Sequence, residues 1–234
     1  KGLIINILTE NHGRYLGWFN NYKSKNILAD VQPGNLVNVF WKSRLIEQMG
    51  KFKIELISSV SGKIFDEKLK LQALNSVCSL LEKFLPERQN YSQIFNATNA
   101  FIDLLTFQDE SKNDYWMEGY VKWEIGVLSS IGFSLDLNRC AVTGSDTNLL
   151  FVSPKTGKAV SKEGAGRHAP RLLLLPSFLG GDNVIGSNFY KEILAGLNIT
   201  SYFFKNKLLL SINTNKPINL PNPRIRFVEL IEKL

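Results

Sequence analysis

The spacing of apolar positions changes character along the 234 residues of this chain. Leu3–Leu8 is a compact aliphatic run, and Arg14–Phe19 is a second extended run rich in aromatics. Between them, Thr9-Glu10-Asn11-His12-Gly13 reads as a turn, because the glycine can take a positive φ. After the Pro33-Gly34 turn, Leu36–Trp41 alternates apolar and polar residues with an imperfect period of two. Phe52–Val60 places Phe52, Ile54 and Leu56 on one face of a further strand. Short strands, tight turns and many aromatics predict a small β-barrel.

Near residue 66 the period becomes helical. Leu69, Ala73, Leu74, Val77, Cys78, Leu81, Phe84 and Leu85 recur at helix spacing, with Asp66 as the expected N-cap and Pro86 as the stop. A second helix is expected after Asn90 or Ser92, carrying Ile94, Phe95, Phe101, Ile102 and Leu105. Phe107–Asp114 reads as a polar linker. A third helix, with Trp116, Tyr120, Trp123, Val127 and Leu128, should end near Gly132. The last third is less regular: a turn-rich insertion at Asn138–Ala169, a loop at Pro176 and Gly180-Gly181, and a helix around Asn188–Leu197. An extended Pro217–Pro223 and a closing helix at Arg226–Leu234 follow. The fold class is α+β, a barrel of about residues 1–62 followed by a helical domain of 63–234 with an insertion at 136–168.

Composition narrows the function. The chain is 44% hydrophobic, enough for a core, and carries a net charge of +7. Residues 1–60 hold eight basic and four acidic side chains, residues 61–154 eight and twelve, and residues 155–234 twelve and five. Both ends are therefore basic and the middle acidic, which favours a polyanionic partner for the ends. With only Cys78 and Cys140, no disulfide framework is expected, and the chain reads as cytoplasmic. Cys78 falls on the apolar stripe of its helix and is expected in the core. No apolar run approaches transmembrane length and no signal peptide is apparent. The chain begins with Lys inside an apolar run, so a preceding piece is expected to be missing.

Catalytic motifs are lacking. There is no phosphate-binding GxxxxGK[ST], no HExxH and no GxSxG. His12 and His168 lie far apart, and His12 fits a turn. A metal nuclease would need clustered carboxylates. Asp103, Asp109, Glu110, Asp114 and Glu118 instead fall on a linker and on exposed helix positions. No enzyme activity and no cofactor are expected.

The segment Phe133–Ala165 has the outline of a zinc knuckle. Cys140 and Thr143 take the first pair of ligand positions, Ser161 and Gly164 the second, with a short strand Leu149–Val152 between. A structural zinc site needs four donors. One cysteine remains, so no zinc is expected, and the turns should be held by backbone hydrogen bonds and packing alone.

This segment, "GFSLDLNRCAVTG…LLFVSPKTGKAVS", resembles the RecO family of DNA repair proteins, in its cysteine-poor alphaproteobacterial variant. "ILTENHGRYLGWFNN" resembles the family's strand-turn-strand, and "VQPGNLVNVFWKSRL" its next strand. "ALNSVCSLLEKFLPER", "YVKWEIGVLSSIGFSLDL" and "RLLLLPSFL" match further segments in the same order. The likeness covers about residues 3–180 and fades beyond about 185. It implies an N-terminal OB-fold, here lacking its first strand, a helical centre and an embedded zinc-finger-like region. Many members carry four cysteines and zinc in that region.

The resemblance further implies a nucleoid-associated, non-enzymatic protein that binds single- and double-stranded DNA and anneals complementary strands. Its implied partners are RecR, the C-terminal tail of single-stranded DNA-binding protein and, indirectly, RecA in the RecF pathway. The first sixty residues interleave basic Arg14, Lys23, Lys25, Lys42 and Arg44 with aromatic Tyr15, Trp18, Phe19, Tyr22, Phe40 and Trp41. OB-folds bind single strands with such a mixture. For any one aromatic, a place in the barrel core is the stronger reading. Arg14, Lys23, Lys25, Lys42, Arg44, Trp18 and Tyr22 are the candidate DNA contacts. Lys205, Lys207, Arg224 and Arg226 form a candidate second basic surface. The alternative is an OB-fold adaptor that holds a protein and does not anneal DNA.

Overall fold

Two hairpins make the N-terminal sheet. In the computed structural model, which describes residues 2–20, 25–45, 47–107, 114–182, 188–208 and 219–234, β1 (Leu3–Thr9) and β2 (Gly13–Phe19) pair antiparallel from Leu3↔Phe19 to Thr9↔Gly13. The expected turn joins them. Gly13 has φ 76°, and Thr9 Oγ1 donates to the Gly13 carbonyl while accepting the His12 N–H. A short helix, α1 (Lys25–Asp30), precedes β3 (Leu36–Lys42), which pairs antiparallel with β4 (Gly50–Ser58). Asn35 ties these pieces together. Its Nδ2 donates to the Ala29 and Asp30 carbonyls, and its Oδ1 accepts the Val60 N–H.

A narrow parallel seam, Gly17↔Gly50 and Trp18↔Lys51, joins the hairpins in the order β1-β2-β4-β3. Both glycines are required by close approach. A Cβ on Gly17 would lie 2.4 Å from the Phe52 ring, and one on Gly50 would lie 2.2 Å from the Trp41 indole. The alternation of the strands therefore has a physical sense: Phe19 and Phe52 point inward and are buried, and Tyr15 meets Trp41 edge-on at 5.4 Å between centroids.

Helices α2 (Lys68–Phe84) and α3 (Ser92–Thr106) belong to the same compact unit as this sheet, Lys1–Gln108 with Pro221–Arg224. The structure therefore divides after the second long helix, whereas the change of period alone put a boundary near residue 62. Ala73, Leu74, Val77, Leu80, Leu81 and Phe84 are the buried stripe of α2, and each large one contributes about 1.5–3 kcal/mol. Cys78, expected in the core, is only half-buried. The helix start also differs from expectation. Glu67, not Asp66, holds the N-cap position, and its carboxylate reaches forward to Lys70 Nζ at 2.6 Å instead of capping. A cleft of about 770 Å³ opens between the outer edges of β1 and β3, floored by Leu74, Val77, Leu81 and Thr98 of the two helices.

The second unit comprises Asp109–Leu220 with Ile225–Leu234. It contains α4 (Trp116–Ser130), a sheet of β5 (Leu149–Val152), β6 (Ala159–Ser161) and β7 (Leu173–Leu174) in the order β6-β5-β7, the short α5 (Lys162–Ala165), and α6 (Phe189–Phe203). Asn188 caps α6 by accepting the Lys191 N–H. The last helix, α7 (Asn222–Ile231), starts earlier than the Arg226 expected from pattern. Pro223 is tolerated there because a first-turn residue needs no N–H partner. Tyr120 on α4 packs on Phe227 at 4.5 Å between ring centroids, both fully buried. Buried Glu124 accepts from the Tyr120 hydroxyl and the Thr200 Oγ1.

Candidate nucleic-acid interface

Strand alternation dictates what the outer face of the N-terminal sheet carries. If Phe52 and Trp41 point inward, Lys51, Lys53 and Glu55 of β4 and Phe40 and Lys42 of β3 must point outward. The ladder places Phe40 opposite Lys53 and Lys42 opposite Lys51. The parallel seam adds Trp18 beside Lys51, on the same face. Phe40 is 57% exposed, and Lys53 Nζ stands 5.7 Å from its ring centroid while pairing with Glu55 at 2.9 Å. Lys42 and Lys51 are both exposed, as is Arg44 in the following turn. Like charges directly opposite each other in a ladder are destabilising, so Lys42 and Lys51 gain when an anion lies between them. An exposed ring flanked by cations can stack a base and hold its phosphates.

The expected site residues separate into groups. Trp18, Lys42 and Arg44 fall on or beside this face. Lys51 and Lys53 belong to it and were missed, although the inward Phe52 and Ile54 already implied an outward Lys-x-Lys. Tyr22 and Lys23 lie outside the described residues, as does the side chain of Lys25. Arg14 has a structural task. Only 13% of its side chain is exposed, its Nε donates to the Leu85 carbonyl at 2.9 Å, and Nη2 lies 3.7 Å from Glu87. The aromatics Tyr15 and Trp41 serve the interior, and Arg88 stacks over both. In the second basic set, Lys205 and Arg226 are exposed. Arg224 must be corrected: at 1% exposure it is part of the core and cannot present its guanidinium to a surface ligand. The side chain of Lys207 lies outside the described residues.

The insertion brings its four singled-out positions together. Cys140 Sγ accepts N–H bonds from Ser161 at 3.2 Å and from Val142 and Thr143 at 3.4 Å each. Thr143 Oγ1 lies 3.5 Å from Ser161 Oγ, which accepts the Gly164 N–H at 3.1 Å. Burial pushes the Cys140 thiol up, but the hydrogen bonds from Ser161 and Thr143 outweigh it and bring the pKa down to about 6. One thiol, two hydroxyls and a glycine do not fit a structural zinc site, which takes four N, S or O ligands. Among the described residues no group of three or more His, Cys, Asp or Glu could hold a metal ion. No helix among them is long and apolar enough to cross a membrane.

Comparison with known proteins gives this architecture a context. Residues 69–216 match the family described as "Recombination protein O C terminal". A DNA repair protein RecO of Rhodospirillum rubrum is 36% identical over 99% of this chain and 90% of its own length. One from Cereibacter sphaeroides is 39% identical over 98% of this chain and 91% of its own length, and one from Ruegeria sp. is 36% identical over 98% and 91%. The chain is thus a protein of DNA repair and recombination. It belongs to the RecO family.

Proposed function

We propose that the chain is a recombination mediator that binds DNA strands and anneals them, using the outer face of β3 and β4. The single observation that carries this reading is the grouping of exposed Phe40 with Lys42, Lys51 and Lys53 on one sheet face. In this reading residues 1–62 are an OB-fold. The order β1-β2-β4-β3, with one parallel seam between antiparallel hairpins, supports it. A further strand paired to both outer edges would close such a sheet into a barrel, and the cleft between those edges is where it would lie.

The second unit, with its degenerate zinc-finger-like insertion, carries basic residues of its own. Exposed Lys205 and Arg226 suit an acidic segment such as the C-terminal tail of single-stranded DNA-binding protein. Family resemblance supplies RecR as a further partner and help in loading RecA as the outcome. The reaction needs no covalent step, so no catalytic residue is assigned.

The test is annealing of complementary strands coated with single-stranded DNA-binding protein, run beside direct binding of a labelled single strand at two salt concentrations. Accelerated annealing with salt-sensitive binding supports the reading. Absence of both would favour a protein adaptor.

A further inference from the structure

We infer that one sulfur atom is the hub of the 136–165 knuckle, Cys140 Sγ standing as a hydrogen-bonded acceptor where metal-holding relatives of this segment would carry a tetrahedral ion. The disagreement between the segment's outline and its donors prompts the question of what holds it. Backbone hydrogen bonds and packing alone were the expectation; backbone bonds such as Asp136 N–H to the Gly157 carbonyl and Ala159 N–H to the Asp136 carbonyl do span the segment, and the sulfur adds to them.

Three backbone N–H groups from two separate chain segments converge on the sulfur. Val142 and Thr143 come from the turn that follows Cys140, and Ser161 from the end of β6. The Ser161 bond is buried, and a buried N–H without an acceptor is costly, so that amide depends on the sulfur most; the Val142 and Thr143 bonds are part-buried. Cys140 is only 3% exposed, which leaves little room for water to replace it. The fourth position completes the argument. A Cβ on Gly164 would lie 2.8 Å from Cys140 Sγ and 3.3 Å from Ser161 Oγ. The sulfur therefore fills the volume a fourth side chain would enter, and glycine is what admits it. Flanking bonds extend the crosslink: the Cys140 N–H donates to the Ser145 carbonyl, the Gly144 N–H to the Cys140 carbonyl, and the Ala141 N–H to the Ala159 carbonyl. One atom thus joins the turn after Cys140 to the end of β6.

The inference makes the segment independent of metal. Amide hydrogen exchange on the full chain tests it. In Cys140→Ala, exchange at Val142, Thr143 and Ser161 should accelerate by about tenfold or more relative to wild type, while amides of α4 stay protected. Cys140→Ser, which keeps a smaller acceptor, should fall between. Incubation of wild type with EDTA should leave its melting temperature unchanged. Unchanged exchange at the three amides in Cys140→Ala, or a lower wild-type melting temperature with chelator, would overturn the inference. Should Cys140→Ala fail to fold, Gly164→Ala decides: it must lower the melting temperature, because its methyl group meets the sulfur. An unaltered melt for Gly164→Ala would equally overturn the proposal.

Discussion

Lys42 and Lys51 stand directly opposite each other across the β3–β4 ladder, both exposed. Apart from any ligand this pairing is mildly unfavourable. Replacing both by Ala should leave thermal stability unchanged or slightly higher while weakening single-strand binding. Each lost phosphate contact should reduce the slope of log affinity against log salt by about 0.7. Binding titrations at several salt concentrations check this, and an unaltered slope would remove these lysines from the interface.

Phe40 should act differently. Stacking contributes about 1–3 kcal/mol per base and involves no counterion release. Phe40→Ala is therefore expected to lower affinity for single strands at every salt concentration, with the salt slope retained. The same titrations distinguish a ring that stacks from a ring that merely covers the sheet.

Arg14 is expected to behave as a structural residue. Its guanidinium binds the Leu85 carbonyl just beyond the end of α2, and the Glu87 contact is longer and partly exposed, hence weak. Arg14→Ala should destabilise the N-terminal unit by about 1–3 kcal/mol. Chemical denaturation measures this. A loss of DNA affinity and salt slope without loss of stability would instead place Arg14 on the DNA surface.

The buried Glu124 side chain takes hydroxyl hydrogen bonds from Tyr120 and Thr200. Thr200→Val keeps the side-chain shape and removes one donor. Removing one partner of a buried polar group costs about 1–3 kcal/mol, and a cost of that order is expected in denaturation.

Cys140 gives stability a pH dependence. Its pKa is held near 6, below the ordinary 9.0, so the folded protein favours the thiolate. The contribution is fully present above pH 9, shrinks as pH falls towards 6, and is absent below that. The slope within this window is about 1.4 kcal/mol per pH unit at most. Denaturation of wild type and Cys140→Ser at pH 6 and pH 9 should show the larger difference at pH 9. Equal differences would mean that the thiol titrates normally.

Local signals carried much of the fold. Gly13, Pro86, Asn188 and the helical spacing of Leu74, Val77 and Leu81 place turns, stops and faces, because these depend on neighbours within a few residues. Strand alternation at Phe52 and Ile54 already places Lys51 and Lys53 on the outward face, although residue type alone favours Arg14 at the edge of its turn. What could not be read was which partner each side chain meets. Arg14 binds the Leu85 carbonyl, and Arg224 lies in the core, and neither is encoded by local pattern. The convergence of Cys140, Thr143, Ser161 and Gly164 was legible from their spacing. The sulfur's part as an acceptor was not, since it depends on three N–H directions fixed only by the folded backbone.

The Gly17–Gly50 seam has a consequence for variation among related sequences. Two adjacent hairpins meet over only two residue pairs, and the first of these is glycine on glycine, with an aromatic ring lying over each. Substitution at either position forces a ring out of the interior and parts the strands together. Neither glycine can be replaced without a compensating change at Phe52 or Trp41. These four positions should therefore drift as a linked set, while the lysines around them remain free to exchange with arginine.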